Sequence, residues 1–251
     1  MEAVEIIAGQ MVISSPIYAP KVENAPTEKC LLLPEVMVYP EQVFRYLQGR
    51  GIAEEVIEYC IDNRLIFESV NYHNAIFVGY DQAGKMRYAA MRGTRSSFLG
   101  DATGSDKQYS FKIEADQGCA RVHLFESAID LLSYATLEQM AGRNWRHEHL
   151  LSLAGVYQPA KDIENSKVPV AVSKFLEEHA EVRGIVAHLD NDQAGRRATE
   201  AIRVALMGKV NLIDFSPKCG KDYNDMLCLQ KGLKITKRQK APRDDLRKGD
   251  R

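Results

Sequence analysis

The sequence predicts an α/β fold in which a parallel sheet is flanked by helices and preceded by a smaller α+β domain. From residue 119 onward, short apolar runs typical of strands alternate with longer runs typical of helices, the pattern of parallel strands joined by crossover helices. Earlier in the chain, NAIFVGYDQAGKMRYAAMRG has two β-rich runs around a Gly-containing turn, which predicts an antiparallel hairpin. The two patterns indicate two different units along the chain.

These patterns divide the chain into four predicted segments. Residues 1–36 begin with a helical turn, EAVEIIAG, and continue as a linker that contains four prolines. Residues 37–118 form the α+β domain, and residues 119–233 form the parallel-sheet domain. Residues 234–251 carry eight Lys/Arg against three Asp/Glu and are predicted to be a solvated, disordered tail rather than a binding arm.

Within the two domains the elements follow from periodicity. Apolar residues at helical spacing between 40 and 63 predict two short helices, because Gly49 and Gly51 break the stretch, and residues 92–112 predict a loop with a short strand. In the second domain the predicted strands are 121–126, 149–155, 184–190 and 209–215, and the predicted helices are 127–142, 170–180 and 194–208.

Composition excludes several classes of protein. Of 251 residues, 45% are apolar and 27% charged, which is ordinary for a soluble globular protein, and no apolar run approaches the roughly 20 residues of a membrane span. The N-terminus lacks a secretory signal pattern. The five cysteines include no C-x-x-C pair, which favours reduced thiols and a cytoplasmic location over disulfides or a zinc site.

Acidic side chains end two strands of the predicted parallel sheet. Glu126 ends the first strand, and Asp190 and Asp192 end the third, so the three carboxylates are expected at one edge of the sheet. Crowded carboxylates favour a bound cation, and Mg²⁺ prefers such hard oxygen ligands, with Mn²⁺ as the alternative. Asp192 could instead cap the helix that follows.

A further polar segment, SPKCGKDYNDML, follows the fourth strand. Asp222 and Asp225 are candidates for metal or supporting contacts, and Lys221 for a contact to phosphate. The alternative is an ordinary polar loop in which Asn and Asp form turns.

The segments HLFESAIDLLSYATL, LSLAGV, VAHLDNDQAGRRAT and CGKDYNDML resemble, in order and spacing, the Toprim domain shared by bacterial DNA primases, topoisomerases and some nucleases. The resemblance covers about residues 120–230. It implies a Toprim-type fold in which Glu126 is a general acid or base and Asp190 and Asp192 bind Mg²⁺. The upstream pieces YLQGRGIAEEVIEYCIDNRLIFES and YHNAIFVGYDQAGKMRYAAMRGT resemble the domain of unknown function that precedes Toprim-like domains in proteins of plasmids and integrative elements.

Among Toprim enzymes the resemblance favours primases. The hairpin with its trailing Arg92 is similar to the strand-turn-strand before the primase Toprim core, and SDKQYSF, with Lys107 and Tyr109, resembles a Lys-aromatic loop there. This implies that Arg92, Arg95 and Lys107 hold nucleic acid or nucleotide phosphates, although each is also typical of plain surface charge. A bacterial primase carries an N-terminal zinc-binding module, and this chain has no Cys/His cluster to build one.

The resemblance implies a primase-like nucleotidyltransferase that makes short RNA on single-stranded DNA from nucleoside triphosphates for a mobile element. A helicase, a relaxase or a separate zinc-binding module are the implied protein partners. A Toprim nuclease using the same carboxylates and a non-catalytic nucleic-acid-binding module remain as alternatives. A topoisomerase is disfavoured because the chain lacks room for strand-passage domains, and no Gly-rich loop supports a nucleotide-binding domain of another class.

Overall fold

The computed structural model describes residues 30–155 and 157–235. The predicted helical turn at 2–9, most of the proline-containing linker and nearly all of the basic tail lie outside these residues. The last part of the linker, residues 30–36, runs extended beside the first sheet, where Val36 forms an antiparallel bridge with Ser69. No helix among the described residues is both long and apolar enough to cross a membrane.

The upstream domain has the two short helices and the antiparallel hairpin that the sequence predicts, and the hairpin is part of a four-stranded antiparallel sheet. Buried Val43 and Leu47 lie one turn apart on the first helix, and the buried carboxylate of Glu68 accepts a hydrogen bond from the Val43 backbone N–H at 3.0 Å, which satisfies the start of that helix. The strands follow one another in the order β1-β2-β3-β4. The elements are α1 (Glu41–Gly49), α2 (Glu54–Asp62), β1 (Ile66–Glu68), β2 (Ala75–Tyr80), β3 (Met86–Arg92) and β4 (Leu99–Asp101).

The second domain is built on a five-stranded sheet with the order β5-β7-β6-β8-β9. Strands β7, β6, β8 and β9 are parallel, as predicted, whereas the short β5 runs antiparallel at one edge and comes from the segment assigned to the upstream domain. A final helix, α6, which the sequence did not predict, occupies the polar segment that follows the fourth strand. The elements are β5 (Lys112–Ile113), β6 (Arg121–Phe125), α3 (Ala128–Met140), β7 (His149–Ser152), α4 (Val170–Glu178), β8 (Gly184–Ala187), α5 (Gln193–Ala205), β9 (Asn211–Asp214) and α6 (Tyr223–Gln230).

Helices cover both faces of this sheet. One face packs against α4 and α5 through side chains such as Leu124, Phe175 and Ile202. On the opposite face, Phe125 belongs to an apolar core that also contains residues of α3, α6 and both upstream helices, including Leu132. The two upstream helices therefore share one core with α3 and α6 of the second domain.

A polar joint fixes the upstream helices beside α6. The amide of Asn224 donates to the Arg50 carbonyl oxygen at 2.9 Å and accepts from the Arg50 guanidinium at 2.7 Å. The Ala53 backbone N–H donates to the Thr136 hydroxyl of α3 at 3.1 Å. These directional bonds set the position of the turn between α1 and α2 relative to the edge where the parallel strands end.

Candidate functional site

Glu126 and Asp190 lie side by side at the carboxyl edge of the parallel sheet. Glu126 directly follows β6, and Asp190 follows β8, the parallel neighbour of β6. The Asp190 backbone N–H donates to Glu126 Oε1 at 3.3 Å, and both residues are buried, at 7% and 3% exposure for Glu126 and Asp190. Sheet topology alone thus brings together two carboxylates that are 64 positions apart in sequence.

Asp192 caps helix α5 and also faces this cluster. Its Oδ1 accepts a hydrogen bond from the Gly195 backbone N–H at 2.9 Å, the geometry of an N-cap. Its Oδ2 lies 3.2 Å from Lys221 Nζ. Asp192 therefore has the capping role that the sequence offered as an alternative. Only one of its oxygens is used for the cap, and the other faces the site.

Lys221 places a cation between the two aspartates. Its Nζ lies 2.6 Å from Asp190 Oδ2 and 3.2 Å from Asp192 Oδ2. An ammonium held by two carboxylates beside a third marks a position that favours positive charge, and its donors are the hard oxygens that Mg²⁺ prefers. The donor set of Glu126, Asp190 and Asp192 therefore fits a divalent cation, with the Lys221 ammonium standing in for it.

Asp222 and Asp225 shape the turn that carries Lys221. Asp222 caps α6 by accepting from the Asp225 N–H at 2.8 Å, and Asp225 Oδ2 accepts from the Lys221 N–H at 3.1 Å. Gly220 has a φ of +78°, and a Cβ there would lie 2.5 Å from that of Asp225, so the tight turn requires glycine. The structure gives both aspartates the turn-forming role, next to the three clustered carboxylates.

The environment moves the pKa values of two clustered carboxyls in opposite directions. Burial, followed by the charge of Asp190, raises the pKa of Glu126 from its ordinary 4.5 to about 7. The hydrogen bond from the Gly195 N–H, followed by the Lys221 ammonium, lowers the pKa of Asp192. Near neutral pH, Glu126 is therefore able to take up or release a proton while Asp192 stays ionised, the separation expected for acid/base work beside a cation.

Two cavities beside the carboxylates gather basic side chains. One of about 160 Å³ is lined by Arg50, Arg92 and Lys221 among others, and one of about 350 Å³ by Arg92, Lys107 and Glu126 together with aromatic rings. Arg95 lines neither and instead bonds to the Gln42 amide oxygen at 2.8 Å. The structure therefore brings Arg92 and Lys107 toward the site and leaves Arg95 outside.

A second group of side chains with metal-binding atoms lies at the other end of the sheet. Ligand atoms of His149, His179 and Glu181 lie within 4.8 Å of one another. However, His149 Nδ1 accepts a hydrogen bond from the Ala115 backbone N–H at 3.1 Å, so the ring proton of neutral His149 is on Nε2. A ring in that state has no nitrogen lone pair left for a metal, and this group is not a candidate metal centre.

Family models match both domains of this chain. The model of a protein of unknown function, DUF3991, matches residues 45–117, and the Toprim-like model matches residues 123–227. The chain carries a Toprim-like domain behind a DUF3991 domain. A curated relative, a "65 kDa protein" of Zymomonas mobilis, is 30% identical over 211 residues, which cover 78% of this chain and 32% of that protein. The chain thus matches only about a third of that relative's length.

Solved primase structures are similar to this chain, and one of them supports the fold. The primase fragment of the bacteriophage T7 primase-helicase protein superimposes with a TM-score of 0.55 at 19% identity, covering 83% of this chain and 78% of that one. A DNA primase domain from Pseudomonas aeruginosa gives a TM-score of 0.47 at 15% identity, covering 75% and 67% of the two chains. The neighbours are primase catalytic cores, and at this identity the likeness to the T7 fragment is one of fold.

The candidate site draws on both matched domains. The Toprim-like domain contributes the three clustered carboxylates and Lys221, whereas the DUF3991 domain contributes Arg50, Arg92 and Lys107. Arg50 was not identified from the sequence, because GRG between two short helices has no pattern of its own that points to a site. Only its bonds to Asn224, 174 positions away, place it there.

Proposed function

We propose that this chain is a primase-like Toprim protein that uses Mg²⁺ for nucleotidyl transfer on single-stranded DNA, in the replication or transfer of a mobile element's DNA. The observation that carries the proposal is the ammonium of Lys221 held between Asp190 and Asp192, beside the buried carboxyl of Glu126. This arrangement supports a cation site at the carboxyl edge of a Toprim-like sheet. The primase-core fold supports nucleic acid as the substrate class.

The three carboxylates would hold the cation. When bound, Mg²⁺ supplies neutralisation of phosphate charge during an in-line displacement. Asp192 stays ionised because the Gly195 N–H and Lys221 favour its charged form. Glu126, with its pKa raised to about 7, is suited to take the proton of an attacking hydroxyl.

The basic side chains would bind phosphate. The Lys221 side chain is nearly half exposed, and once a cation replaces its ammonium between the aspartates, the ammonium is available to a phosphate oxygen. Arg50 and Arg92 line the smaller cavity with Lys221, and Lys107 lines the larger one. Such a local patch lets a chain with a formal net charge of −1 bind a nucleoside triphosphate or a template strand. The protein partners of such a primase-like protein would be a helicase, a relaxase or a separate zinc-binding module.

The test is product formation by the full chain. We expect that protein, Mg²⁺ or Mn²⁺, labelled nucleoside triphosphates and single-stranded DNA yield new oligonucleotides. Asp190→Ala should lower the rate by on the order of 100-fold or more, because a ligand to the transition-state charge is lost. Asp62→Ala is the matched control, since Asp62 is exposed on α2, and it should leave the rate unchanged.

Other products would replace this proposal. Shortening of the template that depends on Asp190 would identify a nuclease using the same carboxylates. DNA binding that persists in Asp190→Ala, with no turnover by the wild-type chain, would identify a non-catalytic binding module.

A further inference from the structure

Two histidines and a tyrosine form a continuous hydrogen-bonded chain inside the second domain. His123 of β6 and His188, which follows β8, are 6% and 2% exposed. His123 Nδ1 lies 2.8 Å from His188 Nε2, and His188 Nδ1 lies 2.6 Å from the Tyr223 hydroxyl. That hydroxyl donates to the Phe215 carbonyl oxygen at 2.8 Å. We call these four residues the buried hydrogen-bond chain.

The last bond fixes the direction of every other bond. Because the Tyr223 hydroxyl gives its proton to Phe215, it must accept from His188, so His188 carries its proton on Nδ1. His188 Nε2 then has a free lone pair and accepts from His123 Nδ1. His123 Nε2 lies 3.5 Å from Glu148 Oε2 and makes no hydrogen bond to the described residues. One arrangement of protons therefore satisfies the three bonds that run from His123 Nδ1 to the Phe215 carbonyl oxygen.

The hydrogen-bond chain joins the two segments that carry the candidate site. His188 is two residues before Asp190, and Tyr223 directly follows Asp222 at the start of α6. The same two segments are also linked by the Asn191 N–H, which donates to the Lys221 carbonyl oxygen at 2.7 Å. The relative position of Asp190 and Lys221 is therefore set by bonds between the segment that follows β8 and the segment at the start of α6, and the His188–Tyr223 bond is the buried one.

Packing alone does not account for polar side chains here. The histidines are surrounded by aromatic rings: the ring of Phe125 stacks on His188 with centroids 4.8 Å apart, and the ring of Tyr134 packs beside it. Apolar side chains of similar size would fill it without the cost of burying imidazoles. Hydrogen bonds add direction, because a shift of either segment breaks them and leaves buried polar atoms without partners.

We propose that the buried hydrogen-bond chain is a positioning device that holds the Asp190–Asp192 segment in register with the Lys221–Asp225 turn. His188 and Tyr223 are its positioning residues, and they act through the carboxylates and Lys221 rather than on the substrate. The expectation that this device also strengthens cation binding rests on the proposed function. The expectation that it holds the two segments in position is independent of the proposed function.

The test uses Tyr223→Phe in the full chain, with Tyr134→Phe as the matched control. Tyr134 packs on both imidazoles, with ring centroids 5.2 Å from His123 and 4.5 Å from His188, and the substitution is chemically identical. In metal-free protein we expect Tyr223→Phe to speed amide hydrogen exchange at Asn191 by roughly fivefold to tenfold, the worth of one hydrogen bond. In ¹⁵N spectra, the His188 tautomer protonated on Nδ1 should also no longer predominate over the tautomer protonated on Nε2. Neither change is expected in Tyr134→Phe.

Cation binding gives a second, separate readout. With Mn²⁺ alone as the probe, Tyr223→Phe should weaken binding by about tenfold, as for other residues that orient metal ligands. If the wild-type chain binds no Mn²⁺, the proposed metal site is wrong, while faster exchange at Asn191 in Tyr223→Phe still supports the positioning role. Unchanged Asn191 exchange in Tyr223→Phe, or an equal change in Tyr134→Phe, overturns the positioning role whatever Mn²⁺ does.

Discussion

Gly195→Ala is expected to abolish most Mg²⁺-dependent turnover and to lower the free energy of unfolding by roughly 3 kcal/mol. A Cβ at position 195 would lie 2.0 Å from the carbonyl oxygen of Asp190 and 2.8 Å from its carbonyl carbon. Backbone atoms cannot rotate aside as a side chain does, so either the start of α5 or the Asp190 segment must move. Both movements displace Asp192, whose Oδ1 accepts from the Gly195 N–H.

Gly49→Ala provides the control for this substitution. Gly49 is also helical, and a Cβ there would meet nothing within 4 Å. The alanine should be neutral or stabilising by up to about 1 kcal/mol, as expected for a helical glycine. Urea unfolding and the oligonucleotide assay measure both variants. A Gly195→Ala protein with wild-type stability and turnover would show that close packing of α5 on Asp190 does not hold the site.

The regular elements of the second domain were predictable because they follow from the length and order of local apolar runs. The segment RVHLFE predicts the strand that the structure has as β6, and the helix predicted over 127–142 is α3, because a short apolar run is typical of a buried strand and a longer one of a buried helix. The edge shared by Glu126 and Asp190 followed from one further rule, that parallel strands end at the same side of a sheet. Neither inference needs a contact that is distant in sequence.

The missed features all depend on such distant contacts. Helix α6 was not predicted because its start is rich in turn formers. Its Tyr223 and Leu227 are buried in the core shared with the upstream helices. Strand β5 has only two residues and is defined by its pairing with β7. Lys221 was predicted to meet phosphate, and its position between two aspartates arises from the turn fixed by Asp225. No local pattern encodes these partners.

Glu126→Gln is expected to stabilise the metal-free protein at pH 8 by up to about 3 kcal/mol. Folding raises the pKa of Glu126 from 4.5 to about 7, so the folded protein holds this proton more tightly than the unfolded chain does. The ionised carboxylate therefore costs no stability below pH 4.5, costs progressively more as pH rises to 7, and costs a constant amount above. Gln is neutral throughout and retains an oxygen that can accept from the Asp190 N–H.

The measurement is urea unfolding from pH 5 to pH 8 with a chelator present. The stability difference between Glu126→Gln and wild type should be small at pH 5 and largest above pH 7. Asp192→Asn is the control of opposite sign, because the pKa of Asp192 is lowered in the folded protein and its charge stabilises the fold at neutral pH. A difference for Glu126→Gln that does not vary with pH would contradict the raised pKa.

Thermal unfolding of the same two proteins with Mg²⁺ links the cost of ionising Glu126 to the candidate site. A cation that binds the ionised cluster removes the repulsion between Glu126 and Asp190, and it stabilises the folded state by mass action. Mg²⁺ should therefore raise the melting temperature of the wild-type chain more at pH 8 than at pH 5. Glu126→Gln should gain less at pH 8, because the carboxylate that the cation would neutralise is absent. Equal gains by both proteins at pH 8 would exclude Glu126 from the cation site.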